Sequence, residues 1–292
     1  FYETYGDDAV TASKVLGITL TKRSSVSASQ TLMAGVPYHA INSYLPKLVR
    51  AGHKVAICEQ TEDPAKAVGL VKREVIRVVT PGTILETNLL TEQKNNFLCP
   101  VYVEENGYGI AFCDVSTPVV YATSYRNPDY LARLCNELGT YAPSEVLLNT
   151  EASAFPELTV MVRERLGAML SDNQGHRYDP AHAGEIVSAQ FGETVRETLL
   201  NDVPLCAAVG ALLNYIAEME KGDISYIREL QLYSGSQYLD MDVNTRRNLE
   251  LCETRRSKEK RGSLLGVLDK TKTPMGGRLL RQWVERPLLS PV

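Results

Sequence analysis

Over residues 7–16 the apolar positions recur at helical spacing, with Asp7 or Asp8 available as an N-cap and Gly17 as a stop. A second helical face, Ile41, Tyr44, Leu45, Leu48 and Val49, spans residues 41–49 and closes at Gly52. Pro46 belongs in the first turn of that helix or kinks it, because inside a helix it removes a hydrogen bond. Residues 18–22 alternate apolar and polar as a strand with one wet face should, and residues 54–59 and 74–80 predict two further strands. Helix and strand thus alternate through residues 1–83, which predicts a compact α/β unit.

The period is lost in the polar stretch 84–96, a predicted linker. Strands at 109–115 and 119–124 around a turn at Ser116-Thr117-Pro118, a helix over 128–138 and a short apolar strand at 145–148 predict a second α/β domain over 97–225. Within it, residues 171–184 look loop-like, and 205–219 is apolar on most faces, hence a buried helix. A strand at 238–242 then leads into helices at 245–251 and 275–284 that expose Arg246, Arg247, Arg278 and Arg281. Residues 226–292 therefore begin an all-α region. Neither an internal repeat nor a low-complexity tract is visible.

With 292 residues, 44% of them apolar, the chain can build two or three domains with cores of their own. No apolar run approaches the ~20 residues a bilayer requires, and no signal peptide is visible at Phe1-Tyr2-Glu3. The first residue is not Met and the last are Ser290-Pro291-Val292, so both ends look like cuts. Six cysteines form no CxxC and most sit in apolar runs, which predicts reduced, buried thiols in a cytosolic protein. Four histidines form no metal-binding pair. The net charge of −4 hides a pattern: residues 1–83 carry 10 Lys/Arg against 7 Asp/Glu, residues 84–225 carry 8 against 20, and residues 226–292 carry 13 against 8. Two basic segments flank an acidic middle, so phosphate contact is expected only at the ends.

Chemistry-bearing motifs are mostly absent. No GxxxxGK[ST] phosphate loop, GxGxxG or GxSxG elbow occurs, and Gly107-Tyr108-Gly109 reads as a hairpin glycine pair. Asp240 and Asp242 share a predicted strand face and could hold Mg²⁺, but an exposed polar face explains them better. No catalytic residue and no metal ligand is therefore assigned. The block Met33-Ala34-Gly35-Val36-Pro37-Tyr38-His39-Ala40 is apolar yet broken by Gly and Pro, a rigid turn between a Ser-rich loop at 24–29 and a helix.

That block resembles the mismatch-binding domain of the MutS family. Leu20-Thr21-Lys22-Arg23 before it matches the same family in order, as do Val55-Ala56-Ile57-Cys58-Glu59-Gln60 and Arg77-Val78-Val79-Thr80-Pro81-Gly82-Thr83 after it. Residues 242–251 and 273–278 resemble the start of the family's lever domain. The resemblance implies a mixed-sheet α/β mismatch-binding domain over 1–83, a ribonuclease-H-like α/β connector over 97–225 and the beginning of an all-α lever over 226–292. Phe1 and Glu3 occupy the two places of the family's Phe-x-Glu motif, and residues i and i+2 of a strand share a face. The resemblance implies that Phe1 wedges into the minor groove at a mispaired or unpaired base while Glu3 hydrogen-bonds that base. Lys22, Arg23 and Arg77 are candidates for backbone contacts, and Met33, Gly35 and Tyr38 for shaping the surface that faces the groove.

It further implies double-stranded DNA with mismatches or small loops as ligand, and a MutL-like repair factor that meets the connector. Homodimer formation and an ATPase using ATP and Mg²⁺ belong to the full-length form; this chain needs no cofactor and is not itself an enzyme. The expected compartment is the bacterial cytoplasm, at the nucleoid and away from membranes. The Gly-Asp that usually precedes the Phe-x-Glu motif is missing, and a wedge on a free terminus is costly to order. Two rival readings remain: a connector module that docks proteins without holding DNA, and a recombination paralogue, against which the Phe1–Glu3 pair argues.

Overall fold

The computed structural model describes residues 1–24, 30–62, 69, 71–84, 94–171, 175–234 and 237–290; of Arg23, Ser24 and Gln30 it describes only the backbone. The Ser-rich loop and most of the 84–96 stretch lie outside these residues. The chain divides into two compact units, Phe1–Pro81 and Gly82–Val292.

In the first unit, β1 (Tyr2–Tyr5) leads directly into α1 (Gly6–Leu16), followed by β2 (Thr21–Ser24) and β3 (Gln30–Val36). β3 is the centre of a three-stranded sheet in which β1 and β2 both pair antiparallel with it. Helix α1 lays the small side chains Ala9 and Ala12 toward Ala34 and Val36, all four buried, so helix and sheet approach closely. The helix is not capped as expected: Tyr5 is its N-cap without a side-chain bond, and Asp7 and Asp8 stand in the first turn, where they favour the dipole. Gly17 ends it in the left-handed region at φ 67°.

After a 3-10 turn at Tyr38–Ala40 comes α2 (Ile41–Arg50), then the antiparallel pair β4 (Val55–Gln60) and β5 (Arg73–Val79). Pro46 lies inside α2 and is buried there, not in the first turn. Its packing beside Leu45 and Val49 offsets the helical hydrogen bond it cannot donate.

The second unit contains a six-stranded mixed sheet in the order β10-β9-β6-β7-β8-β11. β6 (Leu98–Glu104), β7 (Gly107–Cys113) and β8 (Val119–Arg126) form an antiparallel meander. Helix α3 (Tyr130–Tyr141) leads to β9 (Glu145–Leu148), which joins β6 in parallel. The short helices α4 (Thr150–Ser153) and α5 (Pro156–Val160) and a π turn at Met161–Arg165 then lead to β10 (Met169–Ser171), parallel to β9. A meander extended by parallel strands beside its first member is the layout expected of a ribonuclease-H-like connector.

On one face of this sheet lie α6 (Pro180–Phe191), α7 (Glu193–Leu200) and α8 (Val203–Glu220). The other face carries α3. Along β7, Ala111 and Cys113 face the α8 side while Tyr108, Ile110 and Phe112 face the α3 side. Gly109 sits where α8 begins, and a Cβ there would stand 2.0 Å from the Pro204 carbonyl oxygen. The expectation that no run approaches membrane-spanning length needs correcting. The 18 residues of α8 have a mean hydropathy of 1.2, long and apolar enough by composition to cross a membrane. Here the helix is the spine of the core, with Pro204 to Ile216 all buried.

Four further expectations are overturned. The loop-like stretch 171–184 contains β10, a 3-10 turn at Gly175–Tyr178 and the start of α6, which Asp179 caps by accepting from the Ala181 amide at 3.1 Å. Residues 238–242 are not a strand but make one isolated bridge, Tyr238 to Leu288. The sheet's last strand is instead β11 (Glu229–Leu232), parallel to β8. Asp242 caps α9 (Val243–Asn248) and Asp240 accepts from Asn136, so the two carboxylates do not share a strand face as expected. Finally, Arg246 and Arg281 turn inward. Past α10 (Leu264–Leu268), on α11 (Pro274–Glu285), Arg281 pairs with Glu285 at 2.8 Å and Glu253 at 3.1 Å, while Arg246 donates to main-chain oxygens of Met241 and Glu285. All six cysteines are free; Cys99, Cys113, Cys206 and Cys252 are buried, but Cys58 is exposed on β4.

Candidate nucleic-acid interface

β1 is an edge strand, and its alternation decides which side chains leave the protein. Tyr2 and Thr4 turn half-buried toward the side of Ala34 and Val36, while Phe1, Glu3 and Tyr5 are exposed. Phe1 is 84% exposed. In the register, Glu3 lies opposite Gly35, Tyr5 opposite Met33, and Met33 opposite Thr21. One face therefore carries Glu3, Tyr5, Gly35 and Met33, and Phe1 stands exposed just before the strand. The block at 33–36 is strand and not the rigid turn expected of it; the turn begins at Pro37.

Gly35 has a steric reason. A Cβ there would lie 3.0 Å from the Tyr2 carbonyl oxygen and 3.5 Å from the Glu3 Cγ. Glycine thus lets the edge strand lie close beneath the carboxylate. The Tyr5 hydroxyl donates to that carboxylate, which fixes its direction on the open face.

A brace on the other side holds the strand. The Tyr2 hydroxyl donates to the Glu59 carboxylate of β4, and the Tyr2 ring stacks on Tyr38 with centroids 5.5 Å apart and planes at 22°. Burial, the hydrogen bond to Glu59 and its negative charge, with a smaller effect of Tyr38, push the Tyr2 hydroxyl up to about 12. Tyr38 itself remains 65% exposed, so it extends the aromatic edge beyond β1. Sequence reading missed Tyr2, Tyr5 and Glu59. The period-two run Phe1, Glu3, Tyr5 carried the signal for Tyr5, whereas a partner 57 residues away left none for Glu59.

The remaining basic candidates are placed apart from this face. Lys22 pairs with Leu32, which puts it in the row of Ala34 although it is exposed at the sheet edge. Arg77 stands opposite Ile57 in the separate β4–β5 pair and is half-buried. Arg23 pairs with Thr31 in the backbone register; its side chain lies outside what is described.

Residues 1–88 match the family model of MutS domain I, residues 96–228 that of MutS domain II and residues 244–292 that of MutS domain III. The DNA mismatch repair protein MutS of Caldanaerobacter subterraneus subsp. tengcongensis is 43% identical over 293 aligned residues, with 99% of this chain and 33% of that protein covered. The MutS of Ruminiclostridium cellulolyticum is 42% identical, with 99% and 33% covered, and that of Brevibacillus brevis 43% identical, with 99% and 32% covered. The chain spans about a third of the length of the curated relatives it matches. Three consecutive domain models in family order, with this identity along nearly every residue, show that the chain belongs to the MutS family.

Proposed function

We propose that the chain recognises mispaired or unpaired bases in double-stranded DNA through the exposed edge of its first sheet, with Phe1 as a wedge and Glu3 as the group that hydrogen-bonds the displaced base. The observation that carries this reading is the open face of Glu3 with the exposed Phe1 at the start of its strand, braced from behind by Tyr2, Tyr38 and Glu59. Driving an apolar wedge between base pairs costs a few kcal/mol of stacking. A mismatched or bulged base has already lost part of that energy, so discrimination follows from deformability and needs no sequence readout. A carboxylate near phosphates is repelled unless it gains a base hydrogen bond, which weighs against intact duplex. Lys22, Arg23 and Arg77, which lie off this face, would reach backbone phosphates away from the wedge.

In the longer protein, the second and third domains would relay binding to an ATPase that uses ATP and Mg²⁺ in a homodimer. The acidic connector, net −12 over residues 84–225 by the counts of 8 and 20, suits a MutL-like protein partner better than DNA. The same acidity is the one observation that favours a pure docking module.

Phe1→Ala tests the wedge. Base–aromatic stacking is worth about 1–3 kcal/mol, so the variant should lose at least about fivefold in preference for a duplex with one unpaired T over the matched duplex. Equal preference in variant and parent refutes the assignment.

A further inference from the structure

Inside the second unit, a cleft of about 670 Å³ opens between the end of α3, the π turn at Met161–Arg165, α9, the 251–258 segment and α11. We propose that it binds a nucleotide-sized polyphosphate anion. This site shares no residue with the face of Phe1 and Glu3, so the two readings stand or fall separately.

Nine Lys/Arg side chains line the cleft against three Glu. Two of those glutamates, Glu253 and Glu285, are both engaged by Arg281. Among the described residues, no carboxylate pairs with Arg165, Arg247, Lys258 or Arg286. Guanidinium and ammonium groups gathered along one cleft suit phosphate oxygens, which accept two parallel N–H bonds from each arginine fork.

Arg286 is only 9% exposed, and its guanidinium lies 4.1 Å from the Tyr238 ring, 4.4 Å from Tyr233 and 5.0 Å from Tyr141. It also donates to the Tyr141 hydroxyl. Ring faces stabilise a cation but supply no negative charge, and a buried cation without an anion is costly. Glu137 is the carboxylate that attracts Arg286, and it is shared with Arg133 and Arg246 while burial pushes its carboxyl up. An anion in the cleft would complete the charge balance.

Size and shape choose the ligand. The volume lies within the roughly 300–1,000 Å³ usual for small-molecule sites, and a concave recess of this size excludes a duplex. Arg165, Arg247 and Lys258, with Arg286 behind them, match the charge of a di- or triphosphate; a peptide would have to fold several carboxylates into the same space. A bound anion would tie Arg165 of the connector to Arg247 of α9, stiffening the junction of the two domains.

The test is isothermal titration of the 292-residue chain with sodium tripolyphosphate, ATP and AMP at 0.15 M salt, with circular dichroism and melting curves to establish that each variant is folded. Tripolyphosphate and ATP should bind one per chain, with AMP at least tenfold weaker. Arg247→Glu and, separately, Lys258→Glu, both at exposed positions, should weaken ATP at least tenfold. Absent heat with both polyphosphates overturns the proposal, and so does unchanged affinity in both folded variants or AMP binding as tightly as ATP. A ten-residue oligothymidylate that displaces ATP with equal or higher affinity would also overturn it, in favour of a nucleic-acid backbone site.

Discussion

Replacing Gly109 by alanine puts a methyl carbon 2.0 Å from the Pro204 carbonyl oxygen, 2.2 Å from its carbon and 2.6 Å from the Leu205 nitrogen. Ordinary contact begins at 3.4 Å, so β7 and the start of α8 would have to separate by the difference, 1.4 Å. No side chain can rotate away, because every obstacle is main chain. The start of α8 is also tethered by Asp202, which caps Leu205 and accepts from the Ser124 hydroxyl. Overpacking a core costs about 1–3 kcal/mol, and a backbone clash between two buried elements belongs at the top of that range, about 3 kcal/mol. For a unit of this size each kcal/mol lowers the melting midpoint by roughly 2–4 °C, giving a fall of about 6–12 °C. Far-UV circular dichroism and the fluorescence of Trp283, the single tryptophan, would follow the second unit. Gly175→Ala is the control, since nothing lies within 4 Å of a Cβ there and the cost should stay within about 0.5 kcal/mol. A Gly109→Ala midpoint within about 2 °C of the parent would refute the close approach of helix and strand, whose magnitude rests on that geometry.

Two more outcomes are expected. Tyr2→Phe keeps the stack on Tyr38 but removes the bond to Glu59; at a half-exposed site this is worth about 1 kcal/mol, so the melting midpoint of the first unit should fall by roughly 4–8 °C and bulge preference in an anisotropy titration by up to about fivefold. Unchanged preference would show that the brace does not position the edge strand. For acid stability, burial alone would raise the Glu218 carboxyl, but the hydrogen bonds and charge of Arg177, helped by His176, hold it below its ordinary value. A depressed folded value means stability that is present above the ordinary carboxylate range and lost as pH falls through the folded one. The parent should therefore lose more of its melting midpoint than Arg177→Met between about pH 5 and 3, and parallel acid profiles would contradict this pairing.

How much of this was legible in the sequence varied with burial. Helices with one wet face, at 6–16, 41–50 and 274–285, announced themselves by period, and so did the half-exposed strand pair at 55–60 and 73–79. β6 did not, because the sheet is covered on both faces and Leu98-Cys99-Pro100-Val101 is apolar without alternation. The start of α6 was missed although Asp179-Pro180 is a helix-start signal, obscured by the polar residues before it. Of the candidate face, Phe1, Glu3, Met33 and Gly35 were readable from the family resemblance and β-alternation. The brace through Glu59 and the tyrosine cage around Arg286 were not, since each joins positions far apart in the chain. The basic excess of residues 226–292 was visible, but only folding turns part of it inward to line a cleft.

The most direct test of mismatch recognition is fluorescence anisotropy of this chain against a matched duplex and the same duplex with one unpaired T, repeated at several salt concentrations. Phosphate binding falls steeply with salt, whereas the wedge contact is largely apolar. The account expects tighter binding to the bulged duplex, with a ratio that persists or grows as salt rises. Equal affinity for both duplexes at every salt would contradict it and leave the chain a scaffold for other proteins.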